Sequence, residues 1–313
     1  MLLQDSIHPN TELKRMNDTV NPLVSVVIPT YNHARFIGRA LQSVLNQTYT
    51  NWEAIVIDNH STDNTDEVLA CFPDPRISCL KIHNNGVIAA SRNAGIRVAK
   101  GEWIAFLDSD DWWTVDKLEI CMKFMNANVD LLYHKLRLQW ETSGWYKRKY
   151  NNSWQVKTPV LFDLLLNGNA IATSSVIVRK YFLDVVGGMD ENTHMIAAED
   201  YNTWLRISKI TNNFYYISEA LGNYLVHNSG VSQKDMSVSA RYAVGEFLEL
   251  LNNRQLKIVE SWLKFTAKKF YCNVNNKSLL ISDLFYLLIN GSLIIKIKSL
   301  FFLIKFKIKI KSL

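Results

Sequence analysis

Three observations predict an α/β fold built on a doubly wound, mostly parallel sheet. Short apolar runs alternate with longer amphipathic segments through the first third of the chain, a β-α-β order that implies parallel strands joined by helices. The runs are nearly continuous in hydropathy, as expected of strands buried on both faces. Two of them end directly in acidic residues, and ligands of such sheets bind beyond the carboxyl ends of the strands.

The elements follow in order. Val24–Ile28 is the first strand, with Pro29 expected to stop it. A helix is expected from about His33 to Gln47, because Phe36, Ile37, Ala40, Leu41, Val44 and Leu45 share one face. Ala54–Ile57 is the second strand and ends at Asp58. Asn64, with Glu67 three residues on, reads as a capping box that opens the next helix. Ile77–Ile82 is the third strand, and Val87–Lys100 a helix with Gly101 in the C-terminal cap position. Trp103–Leu107 is the fourth strand, running straight into Asp108-Ser109-Asp110-Asp111. Farther on, Thr158-Pro159 opens a short helix that Gly168 ends. Val176–Val178 reads as a strand, Gly187-Gly188 as a turn, Ala197–Ile210 as a helix and Phe214–Val226 as strand-rich. Ser237–Phe270 is helical and amphipathic.

Composition bounds the class. With 48% apolar and 20% charged residues over 313 positions, the chain can bury a sizeable core without disulfides or a structural metal, and it is no disordered polymer. The expected division is an N-terminal extension (1–21), a main domain (22–232), a helical extension (233–278) and a tail (279–313). Met1–Val20 is polar and carries Asp5 and Glu12, so it reads as neither a signal peptide nor an anchor. Cys71, Cys79, Cys121 and Cys272 have no C-x-x-C spacing, and they are expected to be buried free thiols in a reducing cytosol. Of the net charge of +6, the segment Leu279–Leu313 carries +5 and the rest of the chain +1. A near-neutral body lacks the basic stripe of a nucleic-acid binder, so nucleic acid is not an expected partner.

Chemistry concentrates in the acidic turn. Three carboxylates within four residues repel one another unless a cation neutralises them, and oxygen donors suit Mg²⁺ or Mn²⁺ held jointly with substrate phosphates. Read alone, the turn also fits a helix-capping segment. No G-x-G-x-x-G follows the first strand, and there is neither a G-x-x-x-x-G-K-[ST] loop nor a G-x-S-x-G elbow. Dinucleotide enzymes, P-loop phosphotransferases and α/β-hydrolases are thereby set aside.

Val24–Asn32 (VSVVIPTYN), Ile57–Thr65 (IDNHSTDNT), Ser91–Gly95 (SRNAG) and Phe106–Trp112 (FLDSDDW) resemble the successive motifs of family 2 glycosyltransferases. Gly187-Gly188-Met189-Asp190, Ala198-Glu199-Asp200-Tyr201 before Trp204, and Tyr224-x-x-His227-x-x-x-x-Ser232 extend the resemblance over roughly Pro22–Ser232. The resemblance implies a GT-A fold and an inverting transfer from a nucleotide-diphosphate sugar. It also implies roles. Pro29, Thr30, Tyr31 and Asp58 would hold uracil and ribose, and Arg92 would face the nucleotide or its phosphates. Asp108 would lie near the ribose or the metal shell. Asp110 would bind the divalent metal (Mg or Mn) with His227 as a further contact, and Asp200 would be the general base. Trp204, one turn after Asp200, could wall a sugar ring. The chain departs from the family where Asn59 replaces a second acid and Leu225 replaces an arginine after Tyr224. A non-catalytic sugar-nucleotide-binding protein of the same fold is the alternative that Asp108, Asp110 and Asp200 argue against.

The tail mixes six lysines with Leu, Ile and Phe. Its longest uncharged stretch, Leu284–Ile295, falls short of the ~20 apolar residues of a spanning helix. The expectation is a peripheral segment on an anionic membrane surface. The protein would then act at the inner, cytoplasmic face of the cell membrane, on a polysaccharide or a lipid-linked oligosaccharide.

Overall fold

A computed structural model describes residues 21–126, 128–141, 147–227, 236–271, 277–293 and 295–300. The N-terminal extension, Ser232, Cys272 and the alternating stretch at 308–311 lie outside the described residues.

Strands β1 (Val24–Thr30), β2 (Trp52–Asp58), β3 (Ile77–Lys81) and β4 (Trp103–Phe106) form a parallel array in the order β3-β2-β1-β4. Helices α1 (Ala34–Leu45) and α2 (Thr65–Ala70) cover one face, where Ile37, Leu41 and Val44 join Val24, Val26 and Ile28. Helix α3 (Ile88–Val98) covers the other, with Ala89, Ala94 and Ile96 against Val27, Ile55 and Ile57. A residue on either face of β1 therefore meets a helix, so the strand reads as one apolar run.

β1 does not stop at Pro29 but continues to Thr30, in register with Asp58. Its pairing with β4 ends at Val27–Phe106, so the missing N–H of Pro29 costs no ladder bond. In the first turn of α2 the Asn64 side chain makes no cap. Asp63 does so instead, accepting from the Thr65 N–H at 3.1 Å and the Thr65 hydroxyl at 2.5 Å. Gly101 is not a left-handed cap. A Cβ there would lie 2.6 Å from the Leu23 carbonyl oxygen and 2.7 Å from the Ser25 nitrogen, so close backbone approach demands glycine. Inside α3 the crowding comes from side chains of the strands below: a Cβ at Gly95 would lie 2.6 Å from Val27 Cγ1 and 2.7 Å from Ile57 Cδ1.

The remaining strands are β5 (Trp112–Trp113), β6 (Leu131–Trp140), β7 (Ile177–Arg179) and β8 (Phe214–Val226), which extend the sheet to eight strands as β4-β7-β6-β8-β5. β7 runs antiparallel to both neighbours, β6 and β8 pair in parallel, and β5 returns antiparallel along β8. Between them lie α4 (Lys117–Phe124), α5 (Val160–Asn167), α6 (Lys180–Val185) and α7 (Glu199–Ser208). Thr158 gives α5 no side-chain cap; the Val160 N–H is taken at 2.8 Å by Asn212 Oδ1. Gly168 ends the helix with φ +86°.

Helices α8 (Ser237–Gly245), α9 (Asn253–Tyr271) and α10 (Lys277–Asn290) follow, and residues 295–300 are helical. Ala243, Val244, Phe247, Val259, Trp262 and Leu263 belong to the same core as α3, α5 and α7. Leu287 and Ile295, from the start of the basic segment, enter that core too, and Lys264 meets Asp283 at 2.8 Å. The segment has a second character on its outside: Phe285, Ile289 and Leu293 are 63%, 69% and 74% exposed. Their spacing of four places Phe285 and Ile289 on one helical face.

The cysteines depart from expectation. Cys121 is buried, but Cys71, at the end of α2, and Cys79, on the edge strand β3, are exposed. An edge strand with one solvated face buries no thiol.

Candidate active site

The carboxyl ends of β1, β2 and β4 carry the candidate residues. Thr30 is buried and Tyr31 projects at 53% exposure. Asn32 adopts a left-handed conformation, φ +51°, that turns the loop toward β2. Its N–H donates to Ser61 Oγ at 2.9 Å, its Oδ1 accepts from the Thr62 N–H at 2.7 Å, and the Ala34 N–H donates to Asp63 at 3.0 Å. Asp58, fully buried, accepts from the Ser61 N–H at 3.1 Å and hydroxyl at 2.5 Å, with Lys81 Nζ at 3.8 Å. The loops after β1 and β2 are thus one hydrogen-bonded unit.

Arg92, on the buried face of α3, is 3% exposed and has both prongs engaged: Nη2 donates to Asp108 at 2.7 Å and Nη1 to Glu199 at 2.6 Å. Burial works against the guanidinium charge, but the carboxylates of Asp108 and Glu199 more than offset it and raise its pKa. Arg92 therefore ties the acidic turn to the first turn of α7.

Asp108, Asp110 and Asp111 face three ways. Asp108 turns to Arg92, and its N–H donates to Ser174 Oγ at 3.1 Å. Asp110 Oδ2 lies 2.8 Å from Nε2 of His227, which follows the end of β8. Asp111 points inward and accepts from the Leu225 N–H at 2.9 Å; burial, then the charges of Asp110 and Asp108, push its carboxyl well above the usual range. The Asp111–Leu225 bond pins the end of β8 to the turn, which brings His227 to Asp110. Arg39 closes the turn from outside, donating to the Asp110 carbonyl at 3.0 Å with its guanidinium 3.5 Å from the centroid of the Trp112 ring.

Asp200 opens α7 beside Glu199. It accepts from the Thr173 hydroxyl at 2.8 Å and from the Tyr201 N–H at 2.6 Å. Burial, and then the Glu199 carboxylate, push it up to about 7, against the pull of the Thr173 hydrogen bond. Thr173 and Ser174 belong to a 3₁₀ turn ahead of β7 that the motif reading did not single out. The signal was present as a Thr-Ser-Ser run between two apolar triplets, 170–172 and 176–178. Trp204 cannot wall a sugar. It is fully buried with its ring 6.1 Å from that of Phe106, because its position on α7 faces the sheet. Of the tryptophan pair, Trp113 is core and donates its Nε1–H to the Ser174 carbonyl at 2.8 Å.

Among the described residues no group of three His, Cys, Asp or Glu gathers as a self-contained metal site. The donor set still fits a hard divalent ion. Asp110 and His227 would supply a carboxylate oxygen and an imidazole nitrogen side by side, and an ion of the Mg²⁺ type held by one or two carboxylates completes its shell with diphosphate oxygens and water.

Residues 25–185 match the pattern of Glycosyl transferase family 2. The chain belongs to this family. The glycosyltransferase is 31% identical over 236 residues to the UDP-Glc:alpha-D-GlcNAc-diphosphoundecaprenol beta-1,3-glucosyltransferase WfgD of Escherichia coli, an alignment covering 72% of this chain and 87% of that protein. It is also 31% identical over 237 residues to the putative teichuronic acid biosynthesis glycosyltransferase TuaG of Bacillus subtilis (strain 168), covering 74% and 90%. Among solved structures, its fold is similar to TarS of S. aureus in complex with UDP-GlcNAc (TM-score 0.62, 19% identity, 84% of this chain and 79% of that one). It is also similar to the mannosyltransferase PcManGT of Pyrobaculum calidifontis in complex with GDP-Man and Mn²⁺ (TM-score 0.59, 17% identity, 90% and 84%). The glycosyltransferase has the GT-A fold. The family pattern covers Arg92 and the acidic turn and ends before Glu199, Asp200 and His227; the contacts of Arg92 with Glu199 and of Asp110 with His227 bring that later segment to the site.

Proposed function

We propose that the chain is an inverting hexosyltransferase that moves a sugar from a UDP-sugar to a hydroxyl of a lipid-linked oligosaccharide or growing polysaccharide, with Asp200 as the general base. The observation that carries this reading is the unequal fate of two adjacent acids. Glu199 pairs directly with Arg92, whereas Asp200, among the described contacts, accepts from a hydroxyl and a backbone N–H and feels the Arg92 charge without pairing with it. A carboxylate near neutrality and free of an arginine partner can take a proton.

The acceptor oxygen attacks the anomeric carbon as the bond from that carbon to the diphosphate oxygen breaks on the opposite face. The acceptor proton passes to Asp200, and the nucleoside diphosphate leaves. Thr173 holds the Asp200 carboxylate in orientation. Pro29, Thr30, Tyr31 and Asp58 would form the nucleotide end, and Asp108, the first residue of the acidic turn, is held by Arg92. Asp110 and His227 would hold a Mg²⁺ or Mn²⁺ ion, which when bound neutralises diphosphate charge as a Lewis acid. The names of WfgD and TarS's UDP-GlcNAc complex support the choice of a UDP-sugar. WfgD's diphosphoundecaprenol substrate supports a lipid-linked acceptor.

Such an acceptor places the reaction at a membrane surface, here the cytoplasmic face, with the basic C-terminal segment as a peripheral contact. Among the described residues no helix is long and apolar enough to cross a bilayer. Exposed Phe285, Ile289 and Leu293 would supply the apolar half of an interfacial element, and the lysines that follow them in the sequence its cationic half.

The test is a panel of nucleotide sugars with a synthetic lipid-diphosphate sugar acceptor, following transfer and the anomeric configuration by NMR. Transfer from one UDP-sugar with inversion is expected. Absence of both binding and turnover across the panel overturns the reading.

A further inference from the structure

We propose that His33 is a positioning residue: through Nδ1 it holds Ser109, and so couples the nucleotide loop after β1 to the metal-side acidic turn. His33 occupies the N-cap of α1, where Ser, Thr, Asp and Asn are the usual residues because their side chains accept from helix N–H groups. The imidazole makes no such cap. The Ala34 N–H is satisfied by Asp63 from the neighbouring loop, so helix capping does not account for a histidine here.

The ring turns the other way. Nδ1 lies 2.7 Å from the hydroxyl of Ser109, a residue 76 positions away, 3% exposed and standing between Asp108 and Asp110. Edge-on contact with Phe36 at 5.4 Å, and the ring of His227 at 6.5 Å, fix the plane of the imidazole. His227 in turn holds Asp110. The loop that carries His33 is anchored to the β2 loop by Asn32 and Ala34. Any tightening of residues 30–34 around a nucleotide is therefore passed by the His33–Ser109 bond to the middle of the Asp108–Asp110 turn. Ser109 is the only residue of that turn whose side chain faces the nucleotide loop among the described contacts.

The proposal rests on the sugar-nucleotide reading of the site. Its test uses the conservative replacements of histidine. Asparagine places a polar atom near Nδ1, glutamine near Nε2, and phenylalanine keeps the ring without either. Mn²⁺ affinity is measured by electron paramagnetic resonance in UDP-saturated full-length protein, with UDP affinity measured by calorimetry. Loss of one hydrogen bond corresponds to roughly 3- to 10-fold. His33→Phe is therefore expected to weaken Mn²⁺ binding about that much, His33→Asn to restore it within ~2-fold, and His33→Gln not to restore it. Ser109→Ala should reproduce the loss, and adding it to His33→Phe should cost nothing further. Wild-type Mn²⁺ affinity in His33→Phe overturns the proposal, as does recovery by Gln but not Asn, which would mean a direct Nε2 contact. A wild-type protein that binds no UDP overturns the functional reading itself, whereas normal UDP and Mn²⁺ binding with indifferent His33 variants overturns only this inference.

Discussion

Arg92 and Glu199, 107 residues apart in the chain, meet at 2.6 Å with both side chains almost wholly buried. The same guanidinium reaches Asp108 at 2.7 Å, so one cation joins the helix behind the sheet, the acidic turn and the helix that carries Asp200. Removing it leaves the buried Glu199 carboxylate without its cation and takes the partner from the partly exposed Asp108. Breaking a buried pair by deleting one partner costs about 3–5 kcal/mol. Arg92→Gln should lower the urea-unfolding free energy by that order, and a variant within 0.5 kcal/mol of wild type (about the scatter of surface substitutions) contradicts the bridging role.

Asp200 should set the acid limb of the rate profile. Its carboxyl is pushed up to about 7, first by burial and then by Glu199. A base works only when ionised, so kcat/KM should rise with pH through about 7 and level off above it. Glu199→Gln removes the neighbouring charge and should move that limb to lower pH. Asp200→Asn should cut turnover about 10²- to 10⁴-fold and abolish the limb, with UDP affinity held.

Lys117 is fully buried, has no hydrogen-bond partner for Nζ among the described residues, and lies with Nζ 3.3 Å from the centroid of the Trp113 ring. Burial lowers its pKa from 10.5 to about 7. The unfolded chain therefore binds the proton more tightly, and stability should increase as pH rises from about 7 toward 10.5. Lys117→Met keeps the length and the ring contact without the amine. Its unfolding free energy should equal or exceed that of wild type at pH 7 and lose the upward slope, as denaturant titrations at pH 7 and 9.5 would show.

The C-terminal helix should separate into two functions by face. Leu287 is fully buried in the main core, and Leu287→Ala should cost about 2–5 kcal/mol of stability. Replacing exposed Phe285, Ile289 and Leu293 together by serine should leave stability nearly unchanged and reduce cosedimentation with anionic vesicles. Undiminished vesicle binding would remove these three side chains from the membrane contact. Truncation at Leu279 is the poorer experiment, since it also strips Leu287 and Ile295 from the core.

What could be read from the sequence follows from burial. β1, β2 and β4 were legible because helices cover both sides of the sheet there, leaving unbroken apolar runs. β6 was not, because Leu131–His134 is wholly buried while Lys135–Trp140 is irregularly exposed, so no single period describes it. The acids of the site were legible as a cluster, but their division of labour was not. Whether Asp111 faces in or out depends on the Leu225 N–H, 114 residues away. Likewise Asp63 and Asn64 are adjacent and both suited to capping, and only the approach of Thr65 chooses between them. Trp204 misled because helical spacing from Asp200 says nothing about which side of α7 meets the sheet.

Gly95 has neither charge nor side chain, yet it acts as a distance gauge for the chemistry one turn earlier. By lying flush against Val27 and Ile57 it fixes the height of α3 above β1 and β2, and with it the reach of Arg92 to the end of β4. A β-carbon at that spot would press on Val27 Cγ1 and Ile57 Cδ1, and where those side chains do not give way it would lift α3 and carry the whole Arg92 guanidinium away from both Asp108 and Glu199. Gly95→Ala would then act as a wedge under the joint of Arg92, Asp108 and Glu199, loosening the acidic turn and the start of α7 together from a position that has no side chain in the site.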